Sequence, residues 1–149
     1  MGRDKMIIEA KEKDSKVLAK MAKEIWENDN ILELEKEFEE ICNDKNSTCF
    51  IKYVEDNPVG FANVTLRHDY VEGTETSPVG YLEGIYVKEN FRNRGYAKEL
   101  VKSCEEWSKV RGCREFASDC LLNNVDSFKF HIAIGFTEAN RIICFRKDL

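Results

Sequence analysis

Hydrophobic positions along the chain fall into blocks of alternating and helical spacing, and the order of those blocks predicts the architecture. Met6-Ile7-Ile8-Glu9-Ala10 reads as a short strand. Val17, Leu18, Met21, Ala22, Ile25 and Trp26 share one face of a helix that Asp14 or Ser15 can cap and that ends near Asn28-Asp29-Asn30. A second helix runs from about Ile31 to Cys42, with Ile31, Leu34, Phe38, Ile41 and Cys42 as its apolar stripe and glutamates over the rest. Thr48 to Val54 is a strand, Glu55-Asp56-Asn57-Pro58 a turn, and Val59 to Leu66 the antiparallel partner.

The segment His68 to Pro78 mixes Asp69, Tyr70, Glu72 and Glu75 with glycine, threonine and proline, which makes it a surface loop and a candidate binding loop. A buried strand, Gly80 to Val87, follows. A helix then extends to about Arg111, carrying Ala97, Leu100, Val101, Cys104 and Trp107 at helical spacing, and Gly112 stops it. Arg114 to Cys120 is another strand, Asn123-Asn124 can cap a helix from Val125 to Ile134 that Gly135 ends, and Arg141 to Arg146 is the last strand. The predicted order is strand, two helices, three strands, helix, strand, helix, strand.

The junction between the Tyr81–Val87 strand and the helix after it bears the chemistry. It reads Arg92-Asn93-Arg94-Gly95-Tyr96-Ala97, an R-x-x-G-x-A stretch at a helix start. A helix entered through Gly95 presents unpaired N–H groups and the positive end of its dipole, and Gly95 and Ala97 keep bulk away from a close-approaching pyrophosphate. Arg92 and Arg94 add positive charge. The alternative is a plain turn with both arginines in solvent. The stretch is neither G-x-G-x-x-G nor G-x-x-x-x-G-K-[ST], so a dinucleotide fingerprint and a P-loop are excluded as the cradle.

Composition narrows the classes. With 149 residues, 42% hydrophobic and 34% charged, the chain predicts one domain over 1–149 with a substantial core. A net charge of -5 argues against general nucleic-acid binding and suits cationic small molecules. The six cysteines include no C-x-x-C pair, and His68 and His131 lack zinc-ligand spacing, so reduced thiols and no metal are expected. No apolar run approaches a membrane span, the charged start through Lys13 lacks a signal-peptide core, and the five residues before Met6 look like an extension. The cytoplasm is the expected compartment.

The cradle resembles the acetyl-CoA signature of the GNAT superfamily of N-acetyltransferases. The element order and Ala133-Ile134-Gly135-Phe136 after the last helix extend that resemblance over the whole chain. The segments Leu66–Thr74, Ser77–Val87, Arg111–Asp119 and Cys144–Lys147 resemble the aminoglycoside 6′-N-acetyltransferases more narrowly. The resemblance implies an α/β (α+β) GNAT fold: a mixed, mostly antiparallel central sheet flanked by about four helices and splayed between the fourth and fifth strands. It also implies acetyl transfer from acetyl-CoA to the 6′-amine of aminoglycoside antibiotics, by direct attack in a ternary complex, with resistance as the outcome. A homodimer is implied too, because the final strand of such proteins often pairs across subunits.

Residue by residue, the resemblance places pantetheine and the acetyl carbonyl on backbone amides of Ile85, Tyr86 and Val87, and the pyrophosphate on amides from Arg92, Asn93, Arg94, Gly95, Tyr96, Ala97 and Lys98. Asn124 would hydrogen-bond the pantetheine arm, against its plain reading as a helix cap. Glu83 and Asp119 are implied as antibiotic-binding residues, with Trp26 and Tyr70 as cleft walls. Two carboxylates facing one cleft suit a substrate with several ammonium groups, and either can take the proton the amine must lose; ion pairing with a nearby Arg or Lys is their structural alternative. Two positions depart from the family's pattern. His131 stands where many relatives have a tyrosine that protonates the leaving thiolate, and Asn140 stands where a third carboxylate contacts substrate. Two other readings fit the same residues: a GNAT enzyme acetylating another polyamine or small amine, and a noncatalytic acyl-CoA-binding module.

Overall fold

The computed structural model describes residues 6–149; the five leading residues, read above as an extension, lie outside the described residues. The sheet is built from β1 (Met6–Glu9), β2 (Ser47–Val54), β3 (Asn57–Arg67), β4 (Val79–Val87) and β5 (Phe116–Ala117), in spatial order β1-β2-β3-β4-β5. Pairing is antiparallel except between β4 and β5, which run parallel and pair only at Gly80↔Phe116 and Tyr81↔Ala117. The helices are α1 (Ser15–Ile25), α2 (Ile31–Asn43), α3 (Tyr96–Val110) and α4 (Val125–Ala133). This is the expected mixed sheet with four helices, opening beyond the short β4–β5 contact.

Side-chain parity assigns the helices to opposite faces. Phe61 of β3 and Cys49, Ile51 and Tyr53 of β2 pack with Leu18, Met21 and Ala22 of α1 and Leu34 and Phe38 of α2. Ala62 and Val64, the intervening residues of β3, pack with Leu82 and Val87 of β4 and Leu100, Val101, Cys104 and Trp107 of α3, with Phe130 and Ile134 of α4 at the margin. Between Leu82↔Val64 and Gly84↔Asn63 the β4 register skips Glu83, a bulge that reverses which side chains face α3. Leu82 therefore shares its face with Ile85 and Val87, and Tyr86 turns to Phe61 on the α1–α2 side.

Four expectations need correction. Neither Asp14 nor Ser15 caps α1 through its side chain: the Asp14 carboxylate instead accepts from the Lys11 amide at 2.8 Å and closes a preceding 3-10 turn, Glu12–Asp14. The β2–β3 turn is only Glu55-Asp56, both at positive φ, so Asn57 and Pro58 already belong to β3, opposite Val54 and Tyr53. β5 is two residues long rather than spanning Arg114 to Cys120. Arg141 to Arg146 forms no strand: residues 137–149 are irregular, with Ile143 80% and Phe145 91% exposed. A strand needs an edge to pair with, and β5 is too short to offer one there. Among the described residues, no helix is long and apolar enough to cross a membrane.

Candidate active site

The cradle forms where β4 hands over to α3. Lys88 ends the strand by donating its amide to Val59, and a 3-10 turn, Glu89–Phe91, leads into Arg92. Asn93 and Gly95 both take left-handed backbone, at φ 63 and φ 82. Nothing lies within 4 Å of the position a Gly95 Cβ would take, so glycine is required there by its backbone angle, not by crowding. Gly95 has no side chain to cap α3, and the first helical bond is Glu99 N–H to the Gly95 carbonyl at 3.1 Å. The amides of Tyr96, Ala97 and Lys98 precede that bond and open outward with the positive end of the helix dipole. Arg92 folds back to donate from Nε to the Val87 carbonyl at 2.8 Å, and its guanidinium lies 5.9 Å from the Tyr86 ring. Arg94 lies 5.3 Å from the Phe91 ring. Both arginines thus rest on the strand end and the turn, beside the open amides.

Behind the cradle, the nearly buried Lys52 of β2 holds the first turn of α3 through its 2.9 Å ion pair with Glu99 and lies 4.8 Å from the Tyr96 ring. A cleft of about 590 Å³ borders the same region, lined by Glu24 and Ile25 of α1, Ile85 and Tyr86 of β4, and Phe91 and Arg92. Tyr86 donates its hydroxyl to Glu24; burial, then that bond, pushes its phenol up to about 12, so it stays protonated at any physiological pH.

The carboxylates gather on the α1–α2 face of the sheet, beyond the cover of those helices. Thr65 and Arg67 on β3 and Tyr81 on β4 share this face by register, and hydrogen bonds bring Glu83 of β4 and Asp119, just past β5, to the same group. Glu83 takes a two-pronged ion pair from Arg67, Nε to Oε2 at 3.0 Å and Nη2 to Oε1 at 2.8 Å, and Oε2 also accepts from Thr65 Oγ1 at 2.5 Å. The Arg67 guanidinium lies 3.5 Å from the Tyr81 ring centre, and Tyr81 donates its hydroxyl to Asp119 Oδ2. The bond to Glu83 raises the Arg67 pKa further, and burial followed by the Asp119 bond pushes the Tyr81 phenol well above its usual range. Both carboxylates therefore meet across one Arg67–Tyr81 stack. Glu83 has the ion pair named above as its structural alternative, while Asp119 is exposed and, among the described residues, carries a single hydrogen bond, from Tyr81.

The remaining candidates are placed unevenly. Trp26 closes α1 and is 47% exposed, and Tyr70 is 77% exposed on the 68–78 loop; among the described residues no hydrogen bond ties either to the carboxylates. Glu115 clamps that loop by accepting from the Glu75 and Thr76 amides at 2.9 and 2.8 Å and from the Thr76 hydroxyl. Asn140 donates to Glu72 of the loop at 2.8 Å. Asn124 caps α4, its carboxamide oxygen accepting from Ser127 N–H at 3.1 Å, which leaves its NH₂ end to donate. His131 Nδ1 lies 2.7 Å from the Ser127 carbonyl, which can only accept, so Nδ1 carries a hydrogen and donates it, and Nε2 lies 2.8 Å from Ser118 Oγ. Ser118 also reaches the Leu82 carbonyl at 3.4 Å, so His131 braces the mouth of the β4–β5 opening. Among the described residues, no group of three or more His, Cys, Asp or Glu is placed to hold a metal.

Arg67 is the residue that sequence reasoning missed. It lies inside the Leu66–Thr74 segment of the resemblance, yet its partner is 16 positions away on another strand. The available signal was Arg67 following Thr65 at spacing two on a strand next to Glu83.

An open helix N-terminus set beside a sheet that parts between a bulged strand and its parallel neighbour is the architecture of an acetyltransferase. The chain belongs to the acetyltransferase (GNAT) family, which residues 17–136 match. It is 41% identical to the aminoglycoside N(6′)-acetyltransferase type 1 of Serratia marcescens over 126 residues, 84% of this chain and 86% of that protein. It superposes with a TM-score of 0.94 on the aminoglycoside N-acetyltransferase AAC(6′)-Iy solved in complex with CoA, at 36% identity, covering 100% of this chain and 98% of the other. The same enzyme in complex with the bisubstrate analogue CoA-S-monomethyl-acetylneamine superposes at 0.92, with 36% identity and coverage of 97% and 98%.

Proposed function

We propose that the protein is an aminoglycoside 6′-N-acetyltransferase, acting as one catalytic domain, that moves an acetyl group from acetyl-CoA to the 6′-amine. The observation that carries this reading is the pairing of two sites on one β4 strand: an anion cradle at its end and a carboxylate-lined face at its middle. The relatives' stated activity matches both halves.

The residues present fit acetyl-CoA. Amides of Tyr96, Ala97 and Lys98, with Arg92, Asn93, Arg94 and Gly95 shaping their approach, hold pyrophosphate oxygens. Ile85, Tyr86 and Val87 lie on the stretch of β4 beyond its β5 pairing, alongside which an extended arm would run, with the Val87 carbonyl already taken by Arg92, and Asn124 has an NH₂ to offer the arm's amide carbonyls. When bound, acetyl-CoA supplies the activated acyl group.

Asp119 and Glu83 supply negative charge to ammonium groups of the antibiotic, and Trp26, Tyr70 and Asn140 border the approach. The reacting ammonium must lose one proton to expose its lone pair; Asp119, with one oxygen engaged by Tyr81 and the other open, is the better placed acceptor. Nitrogen then bonds to the acetyl carbon, the C–S bond breaks, sulfur departs with its electron pair as thiolate, and the amide nitrogen releases its second proton. The products are the N-acetylated antibiotic and CoA. Acetylation removes a positive charge from the drug, the chemical basis of resistance.

We place the enzyme in the cytoplasm, consistent with the six free cysteines. We also propose a homodimer, supported by Ile142, Ile143 and Phe145, which stand exposed on an unbroken apolar run that suits a buried strand but that pairs with no strand among the described residues. The function is tested by following CoA thiol release with matched aminoglycosides carrying a 6′-amine or a 6′-hydroxyl. Turnover confined to the 6′-amines is expected. Faster turnover of simple polyamines would make the protein a different GNAT enzyme, and CoA binding without release on any amine would make it a binder.

A further inference from the structure

Two carboxylates and one guanidinium meet at the candidate ammonium-binding subsite, the guanidinium forked onto Glu83 and stacked on the Tyr81 ring that bonds Asp119. Arg67 occupies two of the four acceptor directions of Glu83 and Thr65 a third, so the carboxylate has one direction left for an incoming ammonium. The Arg67 head is held from below by the Tyr81 ring at 3.5 Å, and the Tyr81 hydroxyl is itself turned to Asp119. Its side chain is 42% exposed, and that of Glu83 27%, so the ion pair sits at the mouth of the subsite, accessible to a competitor in solvent.

The pair is two-pronged, the stronger kind of ion pair, but both partners are open to solvent, so a dissolved cation can compete for Glu83 there. A polyammonium ligand brings several charges to the same face, so it competes for Glu83 better than a single ammonium does. Exchange also removes a repulsion, because a cation bound at Asp119 otherwise meets the Arg67 charge across the Tyr81 ring.

From this we infer that Arg67 is a resident cation, filling the place of a substrate ammonium on Glu83 in the resting enzyme and giving way to a substrate that carries enough positive charge to displace it. Arg67 is thus a specificity-determining residue: it discriminates against singly charged amines and admits polycations. The inference rests on the aminoglycoside reading and deepens it.

The test is Arg67→Met, which keeps an apolar stem over Tyr81 and removes the charge, together with Arg67→Lys, which keeps the charge and loses the two-pronged fork. Each is assayed by CoA release with a monoamine and with a 6′-amino aminoglycoside at several salt concentrations, after thermal unfolding has established that the variant is folded. Arg67→Met is expected to lower KM for both amines about three- to tenfold, more for the monoamine, narrowing the selectivity for polycations, and to steepen the rise of KM with salt as the subsite gains net negative charge. Arg67→Lys should fall between Arg67→Met and the wild type. An unchanged or raised KM in folded Arg67→Met, with an unchanged salt slope, overturns the inference and makes Arg67 a brace that orients Glu83. If Arg67→Met is unfolded, Arg67→Lys with a KM equal to or above the wild type overturns it in the same way. If the wild-type enzyme releases no CoA with any 6′-amine, it is the functional reading itself that has failed.

Discussion

Asp119 and Glu83 are alike in the sequence and unlike in the fold. Glu83 sits in the fork of Arg67, whereas Asp119 has one bond, from Tyr81, and lies open to the cleft face. Asp119→Asn preserves shape and can still accept from Tyr81, so it should remove charge alone. A charge-assisted contact to an ammonium is worth roughly 1.5–3 kcal/mol, which predicts a fall in kcat/KM for an aminoglycoside of about ten- to a hundredfold, with acetyl-CoA affinity unchanged. If Asp119 also takes the proton, kcat falls and its low-pH limb shifts; a pure binding role raises KM and leaves kcat in place. Steady-state kinetics across pH separates the two, and unchanged kcat/KM would make the aspartate structural. At this scale the sequence showed the two carboxylates but not their difference, because the ion pair between Glu83 and Arg67 depends on a register across two strands and on a one-residue bulge, neither of which has a local signature.

The β4–α3 junction was legible almost residue by residue. Its signals are local: an apolar strand, a glycine where the backbone must be left-handed, then apolar residues at helical spacing. The two-residue β2–β3 turn was misread because Pro58, a common turn residue, sits in a strand at the bulged opposite of Tyr53. Arg141–Arg146 has the unbroken apolar run of a buried strand, Ile142-Ile143-Cys144-Phe145, but such a run reports only what a segment would bury if paired. The cradle can be tested as an element. Gly95→Ala and Gly95→Asp both place a Cβ at φ 82, and open space surrounds it, so both should fold. The aspartate alone adds a negative charge at the amides that meet the pyrophosphate. Calorimetry should show acetyl-CoA binding at least about tenfold weaker in Gly95→Asp than in Gly95→Ala, a difference of roughly 1.4 kcal/mol. Equal affinities would dissociate α3 from the cofactor.

For the whole molecule, the uncovered segment 137–149 is the feature that a single chain leaves unfinished. Sedimentation should find a dimer at micromolar concentration, and Ile143→Asp with Phe145→Asp should give a folded monomer; a wild-type monomer under the same conditions would remove the proposed assembly. The same segment has a second attachment: Asn140 donates to Glu72, and Ala139 lies so close to Gly73 that an added Cβ there would come within 2.4 Å of it. The candidate binding loop, 68–78, thus leans on the chain end that the proposed assembly would cover, while the cradle on β4 and α3 has no part in that contact. Two ligands should then feel dilution differently. As the dimer dissociates, the antibiotic's KM should climb while acetyl-CoA affinity holds, so the cell's content of the enzyme, and not only its turnover, would set how low a dose of drug it can clear.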